Sequence, residues 1–135
     1  MNGSERSILL VDDDRELLRI LALFLRVDGW QVQVALTGPA AVSLLSTSAP
    51  PSLILSDITM PDMDGAELIR IIAGIPALDR VPVVQMSAIH REKVSGRVAA
   101  VLMKPLKFPE VLPLLREVAG RVPAGQGARR GPRSS

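Results

Sequence analysis

The 135-residue sequence predicts an α/β fold, a doubly wound parallel sheet of five strands with helices on both faces. Three patterns point there. Ile8–Val11, Leu53–Ser56, Val81–Met86 and Val98–Met103 are short apolar runs, the length of strands covered on both faces. Residues 31–35 alternate polar and apolar, which suits a half-exposed strand at a sheet edge. Stretches with helical period, caps and stops lie between these runs.

Taken in order, Ile8–Val11 opens the sheet. From Asp14 to Asp28 the apolar residues Leu17, Leu21, Phe24 and Val27 recur at helical spacing, with Gly29 placed to stop the helix. The edge strand Gln31–Ala35 follows. Thr37 or Gly38 caps a second helix with Pro39 at its first position, running to about Ser46. Pro50-Pro51 breaks the chain before the strand Leu53–Ser56. A third helix runs from about Ala66 to Ala73 and is stopped by Gly74 and Pro76. Any helix between Arg91 and Val98 is weakened by Gly96. A last helix falls between Pro109 and Gly120. Inside it Pro113 would cost roughly 3 kcal/mol, so that helix is expected to kink or start late.

This β-α alternation fits the flavodoxin-like (βα)5 strand order 2-1-3-4-5, with a ligand crevice at the C-terminal ends of strands 1 and 3. Residues 7–120 form the expected domain. Residues 1–6 are an N-terminal extension, and the Arg/Gly/Pro-rich residues 121–135 have the composition of a disordered tail.

The sequence pI of 9.7 suggests a nucleic-acid partner, but the charge distribution does not. Arg121, Arg129, Arg130 and Arg133 account for four positive charges against a formal total of +2, leaving the rest of the chain at −2. With no cysteine there is no disulfide framework. Leu17–Val27, the longest apolar stretch, is interrupted by Arg19 and Arg26, so no membrane span is expected. The expected location is the cytoplasm, with no nucleic acid or membrane as partner.

The strand ends carry the chemistry. Strand 1 delivers Asp12 and Asp13, strand 3 Asp57, strand 4 Ser87 and strand 5 Lys104. In the order 2-1-3-4-5 these strands are neighbours, so the groups converge. Crowded carboxylates must be protonated, spread apart or bridged by a cation, and a cluster of hard oxygens suits Mg²⁺. A hydroxyl and an ammonium nearby are what an incoming phosphoryl group needs, and an aspartate can accept one as an aspartyl-phosphate. Asp57 is the natural nucleophile. Asp62 and Asp64 read as turn and N-cap residues, Asp14 as the start of helix 1, Trp30 as packing under the edge strand, and His90 as a solvated loop residue.

The motifs V-D-D-D at 11–14, D-I-T-M-P-D-M-D-G at 57–65, M-S-A at 86–88 and L-M-K-P at 102–105 resemble the receiver domain of bacterial two-component response regulators. The resemblance covers residues 7 to 120. It implies that Asp57 is the phospho-acceptor, and that Asp13 and Asp57 bind Mg²⁺ directly. The main-chain carbonyl of Thr59 would be a third ligand, and Asp12 would act through water. Ser87 would supply the hydroxyl and Lys104 the cation facing the phosphoryl oxygens, with the Lys104–Pro105 bond cis. The implied donor is a sensor histidine kinase or a phosphotransfer protein. Residues two beyond the Asp and two beyond the Ser, here Thr59 and Ile89, would flank the path of a hydrolysing water.

Two departures stand out. The position three before the Lys, usually Tyr or Phe in the family, is Val101, and Ser87 and Lys104 are closer in sequence than usual, which implies a shortened helix 4. With no ring to move, the change on phosphorylation is expected in the loops after strands 3 and 4. The expected protein is a stand-alone receiver that acts on a downstream protein by contact. Two rivals remain: a phosphorylation-independent adaptor with the same fold, and a Mg²⁺-dependent phosphohydrolase with an Asp nucleophile. The latter would want a second acid two residues after the nucleophile, where Thr59 stands.

Overall fold

The computed structural model describes residues 6–60, 62–89, 92–93 and 95–120. Pro61, His90, the 1–5 extension and the 121–135 tail lie outside them. Five strands, β1 (Arg6–Val11), β2 (Trp30–Ala35), β3 (Leu53–Asp57), β4 (Val83–Ser87) and β5 (Val98–Met103), pair in parallel in the order β2-β1-β3-β4-β5. Arg6, assigned to the extension from the sequence, belongs to β1. Helices α1 (Arg15–Val27) and α4 (Phe108–Gly120) cover one face, and α2 (Gly38–Thr47) and α3 (Gly65–Ala73) the other, each over its own apolar cluster.

The caps read from the sequence are in place. Asp14 accepts from the Leu17 N–H at 3.1 Å, Thr37 from that of Ala40 at 3.0 Å, and Asp64 from that of Glu67 at 2.8 Å. Gly29 has φ +96°, the left-handed conformation that lets the chain leave α1 and enter β2 at once. Pro39 is the second residue of α2, since Gly38 already has helical geometry.

Two expectations need correction and a third narrows. No helix lies between β4 and β5 among the described residues, so the (βα)5 count falls to four helices. Ten residues (88–97) separate the two strands, and Gly96 among them disfavours a helical turn. The last helix, α4, runs from Phe108 to Gly120 with Pro113 inside it, so of the two outcomes expected of that proline, a kink or a late start, the late start does not occur. Proline there forgoes one hydrogen bond, and the burial of Val111, Leu115 and Val118 against the sheet offsets the loss. On α1 the buried stripe is Leu18, Leu21, Ala22 and Leu25, whereas Phe24 and Val27 are exposed. Phe24 instead packs its ring 5.1 Å from that of Phe108.

At the end of the sheet far from the strand C-termini, Asp28 closes α1 and ties it to α4. Arg116 makes two hydrogen bonds to its carboxylate, one of them 3.0 Å long, and the Trp30 indole N–H donates at 3.2 Å. Arg6 lies 5.5 Å over the Trp30 ring and adds a more distant positive charge. The Arg116 hydrogen bond, opposed by burial and aided by Trp30, holds the Asp28 carboxyl below the ordinary carboxylate range. A depressed native pKa adds stability above the unfolded value of about 3.9 and loses it as pH falls through the lower native value. Asp28→Asn is therefore expected to melt below the wild type at pH 7, with the gap closing in acid below about pH 4. A gap that persists unchanged at pH 2.5 would assign the loss to packing.

Candidate functional site

The residues singled out from the sequence meet at the C-terminal ends of β1, β3, β4 and β5. All five residues of β3 are buried, and Asp57 is its last. Burying Leu53, Ile54 and Leu55 contributes on the order of 1.5–3 kcal/mol each, which holds Asp57 where its own charge would resist burial. The parallel register sets Asp57 opposite Met86 and Ser87 opposite Met103, one residue before Lys104.

Asp12 is fully buried, Asp57 is 6% exposed, and Asp13 stands at the solvent side. One carboxylate oxygen from each of the three lies within 4.8 Å of the other two. The Lys104 ammonium sits between two of them, 2.7 Å from Asp12 Oδ2 and 3.3 Å from Asp57 Oδ2. Burial pushes the Lys104 pKa down, but the hydrogen bond and charge of Asp12, then the charge of Asp57, outweigh it, and the net shift is upward. Lys104 is thus a fixed cation in the acid cluster. The Lys104–Pro105 bond is cis.

Hydrogen bonds orient the remaining oxygens. The Asp14 N–H donates to Asp12 Oδ1 at 3.0 Å, and the Thr59 N–H to Asp57 Oδ1 at 3.3 Å. Ser87 is fully buried, and its Oγ accepts from the Ile89 N–H at 3.1 Å. Strand β5 is tied to Ser87 directly, because the Lys104 N–H donates to the Ser87 carbonyl at 2.7 Å.

The loop after β3 is kept tight by Gly65. Its N–H donates to the Ile58 carbonyl at 2.9 Å, and a Cβ there would fall 2.6 Å from Ile58 Cα. No residue with a side chain fits without moving backbone. Asp62 is exposed and Asp64 serves as the α3 cap, as their turn-forming character suggests.

All of Asp12, Asp13, Asp57, Ser87 and Lys104 therefore gather at one end of the sheet, with Thr59 bonded to Asp57. The buried amide of Gln85, two residues before Ser87, was not singled out from the sequence. Its signal is a lone polar residue inside the run V-V-Q-M. Three hard carboxylate oxygens this close suit a small divalent cation. With a nucleophilic carboxylate and an ammonium beside it, the arrangement can accept an anionic group such as phosphoryl.

The family described as response regulator receiver domain matches residues 8–115. An uncharacterised 14.6 kDa protein from the sodA1 3′ region of Leptolyngbya boryana is 34% identical over 121 residues, 84% of this chain and 90% of that protein. Response regulator MprA of Mycobacterium tuberculosis is also 34% identical over 121 residues, 84% of this chain but 50% of MprA, so the chain spans about half its length. Among solved structures, the receiver domain of sensor histidine kinase PA1611 from Pseudomonas aeruginosa PAO1 has a magnesium ion coordinated in its active-site cleft. It is 26% identical, with a TM-score of 0.75 over 87% of this chain and 99% of that one. Chemotaxis response regulator CheY4 of Vibrio cholerae shares the fold at 21% identity and a TM-score of 0.78, over 85% of this chain and 99% of that one. No helix of the described residues is long and apolar enough to cross a membrane.

Proposed function

Because the chain belongs to the response regulator receiver domain family, we propose that it takes a phosphoryl group onto Asp57 in a Mg²⁺-dependent reaction and passes the signal on by protein contact. The proposed donor is a sensor histidine kinase or a phosphotransfer protein. The observation that supports this most is the Lys104 ammonium held between Asp12 and Asp57 beside the three-carboxylate cluster. An ion pair alone would not need Asp13 as a further acid beside Asp12 and Asp57. The absence of an acid at Thr59 argues against a phosphohydrolase.

In the transfer, an Asp57 carboxylate oxygen bonds to phosphorus as the donor's P–N bond breaks, and the donor nitrogen keeps the electron pair. Lys104 faces the phosphoryl oxygens and offsets the charge arriving beside Asp12. The Ser87 hydroxyl offers a hydrogen bond to the same oxygens. Asp12, Asp13, Asp57 and the Thr59 carbonyl would hold Mg²⁺, which when bound supplies positive charge to the phosphoryl group.

The test is incubation with acetyl phosphate, with and without Mg²⁺, followed by mass analysis. One phosphoryl group on Asp57 that requires Mg²⁺ supports the proposal. An unlabelled chain would favour the phosphorylation-independent adaptor, and continuous turnover a hydrolase.

The phosphorylated state is proposed to be long-lived. Neither Thr59 nor Ile89 carries an acid or amide that could orient a water, and Ile89 is 72% exposed. Losing such positioning slows hydrolysis by about tenfold, or about 1.4 kcal/mol of barrier. Ile89→Asn is expected to shorten the phospho-Asp57 lifetime by about that factor. Equal lifetimes would show that position 89 does not reach the water's path.

A further inference from the structure

The loop from β3 to α3 follows directly on Asp57 and carries Thr59, and two close contacts define its shape. One is its own closure: the Gly65 N–H donates to the Ile58 carbonyl at 2.9 Å, so the loop returns to the neighbour of Asp57. The other is to α2. Gly38, the first residue of that helix, is buried, and a Cβ on it would fall 2.6 Å from Met63 Cβ, 2.7 Å from its Sδ and 3.0 Å from its Cγ. Carbon atoms in contact rest about 3.5–4.0 Å apart, so no side chain fits there. The Gly38 backbone does not itself require glycine. It is helical, its φ lies outside the left-handed region, and alanine adopts it without strain. It is Met63 that keeps a side chain out. Rotating the thioether moves Sδ and Cγ aside, but Cβ is fixed to the Met63 backbone and moves only with the loop.

Each side of this contact is tied to the acid cluster by a short route. On the loop side Asp64 alone separates Met63 from Gly65, whose bond reaches Ile58, and the Thr59 N–H donates to Asp57 Oδ1 at 3.3 Å. On the helix side Gly38 follows Thr37, the α2 cap, and Ala35 at the end of β2 accepts the Asp12 N–H at 3.2 Å. In the strand order β2-β1-β3 these attachments flank β1, so the contact spans the end of the strand that delivers Asp12 and Asp13. Met60 is buried in the apolar cluster beneath α2 and α3, and Met63 packs against the same cluster, while Asp62 between them is exposed.

We infer that Gly38 and Met63 are positioning residues for Mg²⁺ and the phosphoryl group: their contact seats the β3–α3 loop on α2 and sets Asp57 and Thr59 at their spacing from Asp12. The inference rests on the proposed metal and acceptor roles of those residues. Gly38 has no side chain, and the soft Met63 thioether is a poor ligand for Mg²⁺, so what the pair supplies is placement.

Gly38→Ala should push the loop off its seat. In a chelating buffer the Gly65 amide, which reports loop closure, should exchange with solvent about fivefold faster, the factor for one ordinary net hydrogen bond, while amides inside β1 and β3 keep their rates. The Mg²⁺ dissociation constant should rise and the rate of Asp57 labelling by acetyl phosphate fall, each by about tenfold, as for other residues that orient metal ligands. Met63→Gly empties the seat from the other side and should act alike. It adds no atoms, so it carries the test even where Gly38→Ala does not fold. In a Met63→Gly background Gly38→Ala should alter neither Gly65 exchange nor Mg²⁺ affinity, because the atoms it would strike are gone, and its better helix propensity should raise the melting temperature slightly. A glycine that served only the fold of α2 would lower the melting temperature in both backgrounds and leave Mg²⁺ affinity alone. That result, or unchanged Gly65 exchange in either single variant, would overturn the inference. Should the wild type bind no Mg²⁺ and take no label, the proposed function falls, and Gly65 exchange still decides whether Gly38 and Met63 seat the loop.

Discussion

Asp57→Asn is expected to abolish phosphoryl acceptance outright and, in the absence of Mg²⁺, to raise the melting temperature. The first effect follows from chemistry, since an amide oxygen does not attack phosphorus as a carboxylate does. The second follows from crowding. Asp57 repels both Asp12 and Asp13, with carboxylate oxygens of all three within 4.8 Å, and is attracted to one cation, Lys104, at 3.3 Å. Unit charges about 4 Å apart interact by about 4 kcal/mol near a protein surface, so two repulsions against one attraction leave a net penalty. Water at Asp13 weakens it, and a gain of about 1 kcal/mol is expected. Melting in a chelating buffer measures it. A lower melting temperature would mean that the Lys104 pairing outweighs the repulsion, and label on the variant would place the acceptor elsewhere.

Lys104→Met is expected to destabilise the metal-free protein by about 2 kcal/mol and to make it depend on Mg²⁺. Removing one partner of a buried ion pair costs roughly 3–5 kcal/mol, because the other charge is stranded. Here Asp12 is fully buried, but the Lys104 side chain is 22% exposed, so a figure below that range is appropriate. In the wild type, millimolar Mg²⁺ with a sub-millimolar dissociation constant should stabilise by about 1–2 kcal/mol. In Lys104→Met the gain should be larger, as the metal becomes the nearest counter-charge, and Asp13→Asn should lose the gain. Acetyl phosphate should label Lys104→Met more slowly than the wild type. Equal melting of the variant and the wild type in a chelator would show that Lys104 does not neutralise the cluster.

Most of the architecture was legible because its signals are local. Caps such as Asp14, Thr37 and Asp64 act within three residues of themselves, and a short apolar run bounded by turn residues suits a covered strand. The site was legible for a related reason. Parallel strands all deliver their C-terminal residues to one end, so an acid after β1, an acid ending β3, a hydroxyl ending β4 and a lysine after β5 must converge once the strand order is known.

What failed was not local. Helix α1 is rich in apolar residues, and several of its faces read as a stripe. Which one meets the sheet is decided by β1, β2 and α4, and it left Phe24 and Val27 outside. Pro113 does not delay the start of α4, because propensity counts one lost bond and not the core contacts of Val111 and Leu115. The sequence by itself therefore determined the strand order's raw material, the helix ends and the identity of the acids, hydroxyl and lysine. Only the tertiary structure decided that the buried Gln85 amide bonds to the Glu92 carbonyl beyond β4. It alone also put the Lys104 ammonium on Asp12, 92 residues away, closer than on Asp57. The physical reason is that a hydrogen bond needs positions good to a few tenths of an ångström, which only the packed sheet provides.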